Sequence, residues 1–137
     1  MQPGYEILEH TADVGIRAWG PRLAATFEQA AWGLAEILGA RAPVPIEWHT
    51  SLEVTALDRE ALLVAFLNEL ILLHESEEVV FIDIGFSRFT DTVLRAEVSC
   101  GLLPGEAEST GVKAATYHRL RVRETDDGFE ARVYLDV

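Results

Sequence analysis

The chain has 137 residues, a length that one domain with a single core accounts for, and its 49% hydrophobic content with aromatics throughout excludes extended disorder. Eleven Lys and Arg against 23 Asp and Glu leave a net charge of −12. That balance excludes a surface built to track a phosphate backbone, because such binding draws on counterion release by a basic face; a basic protein partner or a bound cation suits the sign.

Cys100 is the only cysteine. An internal disulfide and a Cys-based zinc site are therefore excluded, and a cytoplasmic location is expected. The most apolar stretch, Ala61–Leu73, is interrupted by Asn68 and Glu69 and falls short of the ~20 apolar residues that a bilayer requires. The opening residues Met1–Glu6 carry neither a basic start nor an apolar run, so neither a leader nor a membrane segment is expected.

Tyr5 and Ile7, and then Gly15–Trp19, predict two short strands with the polar segment Glu9–Asp13 as an exposed loop between them. From Leu23 to Leu38 the residues Leu23, Phe27, Ala30, Ala31, Leu34, Ile37 and Leu38 recur at spacings of three and four. This predicts an amphipathic helix, opened by Gly20-Pro21 and closed by Gly39. Gly33 inside it costs ~1 kcal/mol relative to Ala and points to a close packing contact. Ala40–Pro45 reads as a linker, and alternation of Leu52, Val54 and Ala56 makes Ile46–Ala56 a strand.

Asp58 is placed to cap a second helix over Ala61–Leu73, whose apolar residues nearly encircle its axis and so assign it to the centre of the fold. Val79–Ile84, Thr92–Ser99, Val112–Arg123 and Phe129–Leu135 are β-branched or alternating, and Asp127-Gly128 joins the last two as a hairpin. This order predicts an α+β fold in which two amphipathic helices pack with antiparallel β-sheet, in a single compact domain over residues 1–137.

No phosphate-binding glycine pattern, GxSxG elbow, HExxH helix or zinc-spaced His/Cys cluster is present. Three polar constellations remain. The first, His10-Thr11-Ala12-Asp13, offers an imidazole and a carboxylate on a short loop; taken alone, Asp13 reads as a turn former and His10 as a surface residue. The second is Asp136-Val137, at the end of a strand that buries Ala131, Val133 and Leu135 and turns Arg132, Tyr134 and Asp136 to the other face. With the sequence stopping one residue later, the Asp136 carboxylate, the Val137 backbone and a terminal carboxylate gather hard oxygens. They form a cation site if another carboxylate approaches, and otherwise a solvated strand end. The third is Val112–His118, where alternation sets Lys113, Ala115, Tyr117, Arg119, Arg121 and Arg123 on one face and Ala114, Thr116 and His118 on the other. Lys113, Arg119, Arg121, Arg123 and Arg132 supply five of the 11 basic residues, and their simplest role is a solvated face paired with cross-strand acids such as Glu130.

Together, Tyr5–Gly15 with its HTAD loop, Ala18-Trp19-Gly20, Phe27-Glu28-Gln29-Ala30-Ala31, Leu62-Leu63, Leu67-Asn68-Glu69-Leu70, Val112-Lys113-Ala114-Ala115-Thr116-Tyr117-His118 and Leu135-Asp136-Val137 resemble the archease family over essentially the whole chain. Val137 departs from the isoleucine with which relatives commonly end, and the arginine-rich hairpin is short. The resemblance implies a non-enzymatic activator of the tRNA-splicing RNA ligase, which uses GTP to join RNA ends; the activator promotes guanylylation and multiple turnover. It further implies a divalent-cation site, of calcium type, at Asp13, Asp136 and Val137, with His10, Lys113, Tyr117 and His118 as supporting residues. The partner implied is the ligase itself, whose basic cleft an acidic protein suits; direct nucleic-acid binding is not expected. The alternatives are a small metal-dependent hydrolase using His10 and His118 as base and acid, and a chaperone-like binding module for nucleic-acid-processing proteins.

Overall fold

The computed structural model describes residues 1–9, 13–105 and 111–137. In chain order these form β1 (Gly4–Glu9), β2 (Val14–Gly20), α1 (Leu23–Leu38), β3 (Trp48–Thr55), α2 (Arg59–Glu77), β4 (Val79–Phe89), β5 (Val93–Leu102), β6 (Ala114–Glu124) and β7 (Phe129–Asp136). The strands pair antiparallel in two sheets, ordered β1-β2-β7-β6 and β3-β5-β4. The α+β expectation holds, with the sheet divided in two.

The helix α1 has the bounds its periodicity predicts. A Cβ added at Gly33 would lie 2.8 Å from Ile16 Cγ2 and 3.1 Å from the Tyr5 ring, so the helix lies against β1 and β2 through its one residue without a side chain. Gly39 ends it at φ 67°, the left-handed conformation that turns its N–H back onto the Ala35 and Glu36 carbonyls.

Asp58 caps α2, its carboxylate accepting from the Ala61 N–H at 2.8 Å. This helix buries Leu62, Leu63, Val64, Phe66, Leu67, Leu70 and Ile71, as its encircling apolar pattern predicts. It runs one turn past the expected end. The last turn, His74–Glu77, is polar, and the His74 Nδ1–H donates to the Val79 carbonyl at 2.6 Å. Asn68 reaches out of α2 to accept from the Ala115 N–H at 2.8 Å, fastening the start of β6 to the central helix.

β4 also runs beyond its predicted end at Ile84. Register shifts at Phe81/Asp83 and Phe86/Arg88 carry it through Gly85 and Ser87, where the two-residue hydrophobic period fails.

The Thr125–Gly128 turn closes on itself, with Thr125 N–H donating to the Gly128 carbonyl at 2.8 Å. It sits hard against the exit of β2, because a Cβ at Gly128 would meet the Gly20 carbonyl oxygen at 2.2 Å and Pro21 Cα at 2.8 Å. Both obstacles are backbone. Gly128→Ala is accordingly expected to cost roughly 1–3 kcal/mol in urea unfolding; a variant as stable as the parent would show that the hairpin can move off Gly20. Among the described residues no helix is long and apolar enough to cross a membrane.

Candidate functional site

β7 lies between β2 and β6, and its even-numbered residues face outward. The β2–β7 register pairs Trp19 with Glu130, Arg17 with Arg132, Gly15 with Tyr134 and Val14 with Leu135. Asp13 immediately precedes β2 and Asp136 is the last residue of β7, so the two follow the final Val14–Leu135 pair on adjoining segments. Two carboxylates far apart in sequence thus belong to the same end of one sheet, Asp13 half-buried and Asp136 exposed.

On the other side of β7, Ala114 pairs with Asp136, and the Lys113 N–H donates to the Asp136 carbonyl at 2.9 Å. Lys113 thus precedes β6 by one residue and is tied to Asp136 through the main chain. One row further in, Thr116 Oγ1 donates to the Tyr134 carbonyl at 3.0 Å and accepts from the His118 N–H at 3.3 Å. The His118 ring stands edge-on to Tyr134, with centroids 6.2 Å apart. Tyr117 and Val137 are exposed. His10 lies outside the described residues.

Tyr134 corrects a sequence expectation. Alternation puts it on the open face, yet it is only 4% exposed. Its ring lies over Gly15, where an added Cβ would come within 2.7 Å of Cε1. The glycine two positions after Asp13 is the sequence signal for this contact, since only a bare Cα admits the ring.

The single basic face expected from Lys113 to Arg123 does not form either. Thr116 pairs with Tyr134 whereas Arg121 pairs with Arg132, so residues 117–120 of β6 bulge opposite Val133. This odd register shift swaps the parity of the strand. Ala115 points into the core opposite Leu135, while Arg121 and Arg123 point outward. Arg119, at φ 53°, takes the left-handed turn within the bulge.

The outward cations do meet Glu130 as expected. Arg17 Nη2 lies 3.0 Å from one carboxylate oxygen, and Arg121 Nη2 and Arg123 Nε lie 3.4 and 3.5 Å from the other. Burial pushes the Glu130 carboxyl up, but the hydrogen bonds and charges of Arg17 and Arg123 outweigh it and hold the group below its ordinary value. A carboxylate depressed by folding contributes stability above its unfolded pKa of ~4.3 and loses it as pH falls through the folded value. Glu130→Gln is thus expected to be less stable than the parent at pH 7, on the order of 1–2 kcal/mol given its partly exposed partners. The gap should narrow on acidification below pH ~4. Urea unfolding at both pH values measures it, and a gap independent of pH would remove the ionic contribution.

The outer face of the second sheet holds a separate polar cluster. Ser99 stands between His49 and Asp83 in register, and His49 Nδ1 lies 2.8 Å from Ser99 Oγ. The carboxylate is on the far side of the serine, not behind the imidazole, so the carboxylate–imidazole–hydroxyl order that activates a nucleophile is not formed. Hydrogen bonds from Ser51, Ser87 and Arg95 hold Glu97 down at about 2. The Cys100 thiol is buried and pushed up to about 11 by that burial, an unreactive state.

Among the described residues no group of three His, Cys, Asp or Glu side chains converges as a metal site. The Asp13/Asp136 rim offers two carboxylates with neighbouring main-chain oxygens, all hard donors. That set fits calcium or magnesium, with further positions filled by water, and does not fit zinc.

These features define a small acidic α+β protein with polar groups on the outer faces of two antiparallel sheets and the arginines paired to Glu130 on the four-stranded one. Residues 5–137 match the model of the Archease protein family, and the chain belongs to that family. It is 38% identical over 131 residues to the protein archease of Thermococcus kodakarensis, covering 90% of this chain and 91% of that one. It is 33% identical to the protein archease of Methanosarcina acetivorans over 97% and 95% of the two chains. The solution structure of Methanobacterium thermoautotrophicum protein 1598 superposes with a TM-score of 0.78 at 29% identity, over 98% of this chain and 99% of that one. The crystal structure of a Thermotoga maritima archease, described as a possible chaperone, shares the fold with a TM-score of 0.59 at 20% identity, over 96% of each chain.

Proposed function

We propose that this protein is a non-enzymatic, cytoplasmic activator of the GTP-dependent tRNA-splicing RNA ligase, promoting its guanylylation and repeated turnover from a calcium-type site at Asp13, Asp136 and Val137. The observation that supports the reading is the β2–β7 pairing, which brings the chain just before β2, where Asp13 lies, to the end of β7, where Asp136 lies, in a chain of the archease family. Like charges brought to one end of a sheet repel. A divalent cation would remove that cost, held by the Asp13 and Asp136 carboxylates and the Val137 main-chain oxygen.

When bound, such an ion supplies positive charge and exchangeable coordination positions at the sheet rim. The protein's own residues do the rest. Its charge of −12 steers it to the basic cleft of an enzyme that binds GTP and RNA. Exposed Lys113, Tyr117 and His118, at the start of β6 and in its bulge, present a contact surface small enough to release quickly. Fast release is what substoichiometric activation requires.

The test is ligation under multiple-turnover conditions with RNA and GTP in excess over purified ligase, adding this protein below the ligase concentration. Faster guanylylation and repeated turnover are expected, both weakening as salt screens the approach. An unchanged rate of both steps overturns the reading; phosphoester hydrolysis by this protein alone would point to the hydrolase instead.

A further inference from the structure

The outer face of the β1-β2-β7-β6 sheet carries an unusual row. Arg17 on β2, Arg132 on β7 and Arg121 on β6 occupy directly opposed positions, three cations side by side across adjacent strands. Opposed like charges destabilise a sheet, so the row needs negative charge from elsewhere. Glu6 and Glu130 provide part of it. Glu6 lies 3.3 Å from Arg17, and both oxygens of Glu130 are already taken by Arg17, Arg121 and Arg123.

Arg132, in the middle of the row, has no ion pair among the described residues, and its Nε is buried without a hydrogen-bond partner. A charged donor left in this way is costly unless something accepts from it. Arg119, raised by the β6 bulge, likewise has no ion-pair partner among the described residues. Between these side chains lies a cleft of about 300 Å³ lined by Arg119, Leu120, Arg121, Arg132 and Tyr134.

We infer that this cleft binds a phosphate group, with the guanidinium groups of Arg132, Arg119 and Arg121 as its donors. Guanidinium forks bind tetrahedral oxyanions through paired, charge-assisted hydrogen bonds, and of the three arginines lining this cleft only Arg121 is engaged by Glu130. The size of the cleft fits a phosphate with a few attached atoms. The overall charge of −12 disfavours a long polyanion, so the ligand is a terminal phosphate monoester or free phosphate and not a stretch of nucleic-acid backbone. The inference is independent of the ligase reading, since it concerns different residues and is tested without the ligase.

The test follows the Arg Nε–H resonances by NMR while inorganic phosphate, a nucleoside 5′-monophosphate, acetate or an RNA oligonucleotide without terminal phosphate is titrated at constant ionic strength. Phosphate is expected to shift the Arg132 resonance saturably, and the monophosphate to do the same if the natural source is a phosphate ester; acetate should not saturate. Arg132→Met and Arg119→Gln should each weaken phosphate binding roughly tenfold or more, as expected for one charge-assisted hydrogen bond. Arg123→Gln, outside the cleft, should leave it unchanged. Arg119→Gln lies on the exposed bulge and reports even if Arg132→Met fails to fold. No saturable shift with phosphate, an equal response to acetate, or tighter binding of the unphosphorylated RNA would each overturn the assignment.

Discussion

Asp13→Asn and Asp136→Asn are each expected to stabilise the cation-free protein slightly and to abolish its response to calcium. In the proposed site two like charges share one end of the β2–β7 pair, and neutralising either would relieve ~0.2–1 kcal/mol of repulsion. With calcium at 100 times its dissociation constant the parent gains ~2.7 kcal/mol, a rise in melting temperature on the order of 10 °C, whereas the variants gain little. The same change thus has opposite signs in the two conditions. Thermal melting with and without calcium measures both, and the ligase assay should show stimulation lost in each variant while circular dichroism stays that of the parent. A parent whose melting ignores calcium, or variants that respond fully, would remove these residues from any cation site. Loss of secondary structure in both variants would give the pair a purely structural role.

Phe66→Ala is expected to destabilise the fold far more than truncation of any exposed side chain on the same helix. Phe66 is fully buried on α2, stacked with Phe27 at a centroid distance of 6.3 Å and tilted onto Phe86 at 5.4 Å; Phe27 in turn meets Phe89 edge-on at 5.0 Å. These rings join both helices to β4. Removing one leaves a cavity that rigid neighbours on several sides cannot fill, at a cost of ~3–5 kcal/mol. That is a large part of the ~5–15 kcal/mol by which domains are stable. Leu72→Ala, on the solvent side of α2 and 57% exposed, should change stability by less than ~0.5 kcal/mol. Urea unfolding of both variants makes the comparison. A Phe66→Ala cost below ~1 kcal/mol would mean that α2 is not the centre of the core.

The contrast between helices and β6 explains what the sequence makes legible. For α1, the three-four spacing, Gly39 and the demand for close packing at Gly33 are all local signals, and each reappears in the structure. Asp58 likewise acts within one turn of its own position. β6 obeys no such local rule, because its bulge reverses side-chain parity between Thr116 and Arg121, and an alternation count carried through that point assigns every later residue to the wrong face. The burial of Tyr134 is hidden for a related reason, since it depends on Gly15 of a strand that only tertiary pairing brings alongside. At the site, residue chemistry suggests hard oxygens at Asp136, but that Asp13 belongs to the same end of the sheet is visible only through the β2–β7 pairing. Before the structure, only the family resemblance joins the two.

The bulge in β6 also bears on how this protein behaves when crowded with copies of itself. β6 is an edge strand of 11 residues, and an unbroken edge of that length offers unpaired backbone groups to any passing chain. Here the line is broken at residues 117–120 by a left-handed turn at Arg119, and the flanking Arg121 and Arg123 charge the remainder. A second edge laid alongside would find neither continuous hydrogen-bonding partners nor an uncharged approach. A chain shortened by three residues within the bulge would restore one straight register from Thr116 to Glu124, and light scattering at rising concentration is expected to show it aggregating where the parent stays dispersed. The irregularity that makes this strand hardest to read thus also interrupts the edge that a second chain would need for pairing.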